Sequence, residues 1–174
     1  MGEVNGGQAG EATESSTERV IRLLAERDYV ARVREFTETT RSAADAARAL
    51  ECSVGQIAKS IVFRAATSDR AVLVVTSGAS RVDERKVAEL IGEPVGKASA
   101  AFVRERTGFA IGGVPPVWEP VACLPASHRV LFDADLLEYD EVWAAAGTPN
   151  SVFAIAPGEL CRIVGGLAAD VRQE

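Results

Sequence analysis

The chain has 174 residues, of which 47% are hydrophobic and 25% charged, and its formal net charge is −6 at pH 7. This length and composition are typical of one soluble globular domain with an ample core. The negative charge argues against a protein that coats nucleic acid, although a small basic rim around a pocket remains compatible with it. Because no apolar run reaches membrane-spanning length and no signal peptide is recognisable, we expect a cytoplasmic protein without a membrane or DNA partner.

Cysteine and histidine are too few and too scattered for the common metal and nucleophile sites. Cys52, Cys123 and Cys161 are widely spaced, which is typical of free thiols in a reducing compartment. His128 is the single histidine, so the sequence offers few residues for a histidine-based catalytic triad or a multi-histidine metal site. We therefore expect no metal and no cofactor.

The first part of the chain predicts a leader followed by helix, strand and helix. Residues 1–16 are rich in Gly, Glu, Ser and Thr, which predicts a disordered leader before a single domain at residues 17–174. Three elements are expected next: a helix capped by Ser16 or Thr17 that ends near Asp28, an edge strand at residues 30–36, and a helix at residues 43–50 capped by Ser42.

The clearest strands of the sequence lie at residues 57–64 and 71–76. The second strand shows no polar alternation, so both of its faces should be covered, as in the middle of a sheet flanked by helices. Two further helices are expected, one at residues 84–91 capped by Asp83 and ended by Gly92, and one at residues 100–106 capped by Ser99.

Residues 107–116 form a loop rich in Gly and Pro, with Gly112 and Gly113 at its centre. Paired glycines allow positive φ angles or a close approach of the backbone to another group. The loop is either a structural turn or a ligand-binding loop; neither the Walker nor the dinucleotide fingerprint is present.

The C-terminal part alternates strands and helices irregularly. A mixed sheet or open barrel surrounded by helices, in an α/β protein of α+β-like character, fits this irregularity better than a doubly wound parallel sheet. The expected elements are strands at residues 129–133, 141–146 and 151–156, a helical turn at residues 135–138, and a helix at residues 158–164 started by Pro157.

Lys59 is an unusual residue because it lies inside an apolar strand. The chain uses only three lysines among its 19 basic residues, so an ammonium group within this strand is conspicuous. A buried lysine is costly unless its head group is paired or reaches a polar cavity. Lys59 is therefore either an edge residue that extends its head group to water or part of a functional pocket.

The order of several motifs resembles the YbaK/EbsC family, the prolyl-tRNA-synthetase-associated editing domain. The resemblance covers the chain from about Thr17 to Val171, and its strongest part is the lysine strand together with the Gly-Gly-Val-Pro loop. The matching segments are residues 40–47, 57–63, 74–78, 82–83, 97–99, 107–115, 133, 146–147 and 156–160.

This resemblance implies a free-standing aminoacyl-tRNA deacylase, whose expected partner is mischarged tRNA, with an aminoacyl-tRNA synthetase as a second candidate. It assigns catalytic roles to Lys59, Gly112 and Gly113, with backbone N–H groups of the two glycines stabilising an oxyanion. The same resemblance, with the neighbouring positions, assigns substrate binding to these residues: Phe36, Thr39, Thr40, Ser60, Val114, Pro115, Asp133, Gly147, Asn150 and Ser151. For Asp133 and Thr40, capping of the following helical turn is an equally simple interpretation.

One loop departs from the family pattern. Synthetase-embedded members carry a histidine near the positions of Asn150 and Ser151, and YbaK itself is basic there, whereas this chain has residues Thr148 to Ser151 as Thr-Pro-Asn-Ser. The departure supports an alternative function, a non-catalytic module that binds aminoacyl-tRNA, a synthetase or an amino-acid-like ligand.

Overall fold

The computed structural model describes residues 12–38, 40–119 and 130–174. Within them, eight strands form one sheet: β1 (Val33–Glu35), β2 (Ile57–Ala65), β3 (Ala71–Ser77), β4 (Val95–Lys97), β5 (Val130–Asp133), β6 (Val142–Ala145), β7 (Ser151–Ile155) and β8 (Leu167–Ala169). Five α-helices accompany it: α1 (Ser16–Ala25), α2 (Ala43–Leu50), α3 (Glu84–Ile91), α4 (Ala100–Thr107) and α5 (Pro157–Val164). Short 3-10 turns lie at Val54–Gln56 and Ala134–Glu138.

The sheet is mixed, as the sequence predicts. Its strand order is β1-β7-β6-β2-β3-β5-β8, and β4 pairs with β2 beside this path. β2 runs antiparallel to β3 and parallel to β6, and β3 runs parallel to β5. β1 and β8 end the path and do not pair with each other, so the described residues form an open sheet and not a closed barrel.

β3 is the buried centre of the fold. All seven of its residues are buried, because Leu73 and Val75 pack into the main core while Val72 and Val74 pack on the opposite face. The main core contains side chains of α1, α4 and α5, and the other face is covered by Val87 of α3 and, nearer β2 and β7, by α2. The prediction of a central strand covered on both faces is confirmed.

Helix ends follow the predicted caps closely. The Ser42 hydroxyl accepts from Asp45 N at the start of α2, and Asp83 and Ser99 cap α3 and α4 in the same way. For α1 the cap is Ser15, so this helix begins at Ser16, inside the segment predicted as a leader. Residues 1–11 of that segment lie outside the described residues.

β8 is a strand that the sequence did not reveal. It is short, two of its three residues are exposed, and its pattern carries no alternation that would indicate a strand. It exists because β5 offers it an open parallel edge. In the described part of the chain, no helix has the length and apolar character needed to cross a membrane.

β2 changes its partner along its length, which opens a gap in the sheet. Ile57 and Ala58 pair with β6, and residues 63–65 pair with β4, so residues 59–62 have a strand partner only on the β3 side. Ile57 O accepts from Gly78 N, so odd-numbered residues of β2 turn their backbone groups toward β3. The Ser60 peptide groups therefore face the gap.

Candidate active site

A cleft of about 290 Å³ lies at the gap in β2. It is called the Lys59 cleft below. Its walls are the start of α2 with the preceding residues Thr40 and Arg41, the β2 segment around Lys59, Gly112 with Val114, and the β6–β7 connection. No carboxylate belongs to this lining. The cleft is thus formed where three loops meet an unpaired strand edge.

Lys59 is half-buried in the wall of this cleft. Its Nζ donates a hydrogen bond to Ser80 O at 3.1 Å, and no carboxylate of the described residues forms an ion pair with it. Burial lowers the pKa of Lys59, the positive charge of Arg81 lowers it further, and Asp133 opposes both effects. An ammonium has three donors, so two remain for another oxygen in the cleft.

The two glycine loops of the site pack directly against each other. A Cβ added to Gly113 would lie 2.8 Å from Thr148 Cα and 2.9 Å from Gly147 O. Gly147 adopts a φ of +98°, and a Cβ there would lie 2.6 Å from Ser16 O at the start of α1. These contacts require glycine, because a side chain at Gly113 would separate the two loops and one at Gly147 would push its loop away from α1.

Hydrogen bonding separates the roles of Gly112 and Gly113. Gly113 N donates to Ala110 O at 3.1 Å within its own turn, so its N–H is not free to stabilise an oxyanion. This hydrogen bond and the contact with Thr148 favour a packing role for Gly113, and its expected catalytic role stays a prediction. Gly112 lines the cleft, and its N–H has no hydrogen-bond partner among the described residues.

Hydroxyl and amide groups hold the β6–β7 connection in place. Thr148 Oγ1 lies 2.6 Å from Ser151 Oγ, and Thr40 Oγ1 donates to Pro149 O at 2.9 Å. Phe36 N donates to Asn150 O at 2.8 Å. Thr40 and Ser151 line the cleft, whereas Phe36 and Asn150 do not belong to its lining.

Asp133 lies outside the cleft, in a buried network beneath it. Its Oδ2 accepts from Thr76 Oγ1 at 2.9 Å and from Ser77 N at 3.1 Å, and its Oδ1 accepts from Asp135 N. Asp133 is the cap of the turn Ala134–Glu138, as the simpler interpretation of the sequence suggested. It influences the cleft through the pKa of Lys59.

The structure brings together about half of the predicted site residues. Those that line the cleft are Lys59, Ser60, Thr40, Gly112, Val114 and Ser151. Pro115, Gly113 and Gly147 lie in the supporting loops outside the lining, and Thr39 lies outside the described residues, as do His128 and Cys123.

Sequence reasoning missed several wall residues. Arg41 lies within a matching segment, and Thr148 and Pro149 lie within the loop that departs from the family pattern, but the sequence assigned none of the three a role in the site. Trp143 also belongs to the cleft wall. Cys52 and Cys161 are free thiols, and burial raises the pKa of each. In the described residues, no three His, Cys, Asp or Glu side chains come close enough to hold a metal.

The open mixed sheet thus carries a cleft that combines a half-buried lysine with two contacting glycine loops. The sequence matches the family model of the aminoacyl-tRNA editing domain over residues 37–163, and the chain belongs to this family. It is 32% identical over 128 residues to YwhH, an uncharacterised protein of Bacillus subtilis (strain 168), covering 74% of this chain and 78% of YwhH.

Solved structures agree with this assignment. A crystal structure of a proposed trans-editing enzyme for prolyl tRNA synthetase is 41% identical, with a TM-score of 0.84, covering 94% of this chain and 100% of that one. The crystal structure of the hypothetical protein APE2540 is 31% identical, with a TM-score of 0.78, covering 90% of this chain and 100% of that one.

Proposed function

We propose that this protein is an aminoacyl-tRNA deacylase that acts in trans and hydrolyses the ester bond of mischarged tRNA in the cytoplasm, without a metal. The observation that carries the proposal is the position of Lys59, an ammonium in a cleft wall with no carboxylate in the lining. Such a group is suited to an oxygen of the ester or of the adjacent phosphate. Membership of the editing-domain family supports the reaction class.

The reaction needs little more than positioning and charge stabilisation. Water, oriented by the free vicinal hydroxyl of the terminal ribose, attacks the ester carbonyl, and the Gly112 N–H with the Lys59 ammonium stabilises the developing oxyanion. The tetrahedral intermediate then expels the ribose oxygen, which takes a proton to become a hydroxyl. The products are the free amino acid and the uncharged tRNA.

The lining of the Lys59 cleft contains the cations Arg41 and Lys59 and no carboxylate, which supports an amino acid without a cationic side chain as the group that is removed. The volume of the cleft is about 290 Å³, and Ala43, Ala46 and Ala145 contribute small side chains to the wall. The solved relative described as a proposed trans-editing enzyme for prolyl tRNA synthetase supports tRNA charged by that synthetase as the carrier. The synthetase itself is the proposed protein partner.

A second candidate function is a binding module without turnover. It is favoured by the loop that departs from the family pattern, where the Thr148 and Ser151 hydroxyls are 2.6 Å apart and bond to each other instead of facing an activating group. Such a module would hold aminoacyl-tRNA, a synthetase or an amino-acid-like ligand.

A deacylation panel distinguishes the two functions. Alanine, serine, threonine and cysteine esters are tested on cognate and non-cognate tRNA, with spontaneous hydrolysis measured beside each. We expect accelerated hydrolysis of one small ester. Tight binding of the same tRNAs by a folded protein, with no acceleration for any ester, would reject the deacylase and favour the module.

A further inference from the structure

A second cleft, of about 500 Å³, adjoins the Lys59 cleft and is called the Arg81 cleft here. The two clefts share four wall residues: Ser60, Ile61, Gly112 and Val114. They meet at the unpaired part of β2, beside the Gly112 N–H. A ligand made of two parts, with the bond between them at this junction, would place one part in each cleft.

Part of the Arg81 cleft is apolar. Phe63 and Val103 contribute to its wall together with Ile111, whose surface is 56% exposed. Ile111 is the only large exposed hydrophobic side chain of the described residues that lines either cleft. An exposed apolar side chain inside a concave surface favours contact with a flat or apolar group of a ligand.

The rim of the same cleft carries two cations without a counter-ion. Arg81 and Lys97 form no ion pair with any described residue, whereas Arg85 and Lys86, which follow Arg81 in the chain, are paired with Asp83 and Asp170. In a chain of net charge −6, unpaired cations at a cleft rim are suited to an anionic ligand. Glu84 and Gln173, also in the wall, offer acceptors for hydroxyl or amino groups.

A buried polar atom marks the junction between the clefts. Ser60 Oγ is shielded from solvent and has no hydrogen-bond partner in the described part of the chain. Buried hydroxyls are normally paired, so an unpaired one at a cleft junction indicates a group whose partner arrives from outside. This observation is independent of the charge on the rim.

We propose that the Arg81 cleft binds the 3′-terminal nucleotide of the tRNA acceptor strand, with Arg81 and Lys97 at its 5′ phosphate and Ile111 against its base. The aminoacyl group then occupies the Lys59 cleft, and the ester bond lies between the clefts, beside Gly112. This assignment rests on the proposed function. It divides substrate recognition into an amino-acid cleft and a nucleotide cleft joined at the reacting bond.

The test combines binding with kinetics. Binding of a CCA trinucleotide is measured for the full chain, for the Arg81→Ala/Lys97→Ala double variant and for Arg32→Ala, a control at an exposed arginine that lines neither cleft. We expect the double variant to weaken binding about tenfold or more, since each charged hydrogen bond contributes on the order of a decade in affinity. The control should bind as the parent does.

Kinetics then separate binding from chemistry. For an aminoacylated acceptor minihelix, the double variant should raise KM with little change in kcat. The slope of log KM against log salt concentration should also become smaller, by the amount expected for the loss of about one phosphate contact or more. Unchanged trinucleotide binding and unchanged KM in the double variant would overturn the proposal. If no ester is hydrolysed at all, the trinucleotide measurement alone decides the nucleotide cleft, because it does not depend on turnover.

Discussion

The contact between the two glycine loops makes Gly113→Ala an informative perturbation. The new Cβ would lie 2.8 to 2.9 Å from three backbone atoms of Gly147 and Thr148, about 0.6 Å short of the 3.4 Å at which ordinary contact begins. Backbone cannot rotate away as a flexible side chain can, so the β6–β7 connection must move. Overpacking of this kind costs about 1–3 kcal/mol.

The expected consequences of Gly113→Ala are thermal and catalytic. For a chain of this size, about 1–3 kcal/mol corresponds to a Tm lower by roughly 3–10 °C. The moved loop carries Thr148 and Pro149 in the wall of the Lys59 cleft, so deacylation should fall even well below the new Tm.

The matched control is Gly158→Ala in the first turn of α5, where an added Cβ meets nothing within 4 Å. That variant should keep its Tm or raise it slightly, because alanine favours the helix, and its activity should be unchanged. The reasoning about the loop contact is refuted if Gly113→Ala melts and deacylates like the parent protein.

Three further predictions concern the charges and the hydroxyl around the cleft. If the ammonium of Lys59 is the active form, kcat corrected for spontaneous hydrolysis should fall as pH rises through its lowered pKa, below the ordinary value of 10.5; a flat profile up to pH 10.5 would contradict this. Asp133→Asn should lower stability by about 1–3 kcal/mol in denaturant unfolding, because a charged acceptor of Thr76 and Ser77 is lost. The same variant should shift the alkaline limb of the pH profile to lower pH, since Asp133 raises the pKa of Lys59, and an unmoved limb would exclude this influence. Ser60→Ala should leave stability unchanged or slightly higher while raising KM, because its hydroxyl has no partner in the described residues; a stability loss above about 1 kcal/mol would show a structural role instead.

Local signals explain why much of the fold was predictable. Ser42 and Asp83 are short polar side chains directly before amphipathic segments, and each caps the predicted helix. The unbroken apolar run of β3 required cover on both faces, and the structure provides it. Lys59 could be singled out because an ammonium inside an apolar strand needs a special environment.

Other features depend on register and could not be predicted from the sequence. The partner change along β2, which creates the gap and exposes the Ser60 peptide, follows from how β4 and β6 align with that strand. The difference between Gly112 and Gly113 depends on one turn hydrogen bond to Ala110, to which residue type gives no clue. Arg81 lowers the pKa of Lys59 only because folding brings the two positive charges near each other.

The most direct test of the central claim compares single-turnover deacylation by Lys59→Ala and Lys86→Ala. Lys86 is the matched control, because it is a lysine whose ammonium pairs with Asp170 and which lines neither cleft. If Lys59 stabilises the transition state, its removal should slow hydrolysis of the preferred ester by about 10²-fold or more, with normal folding, while Lys86→Ala retains the parent rate. Equal rates for Lys59→Ala and the parent protein would contradict the account.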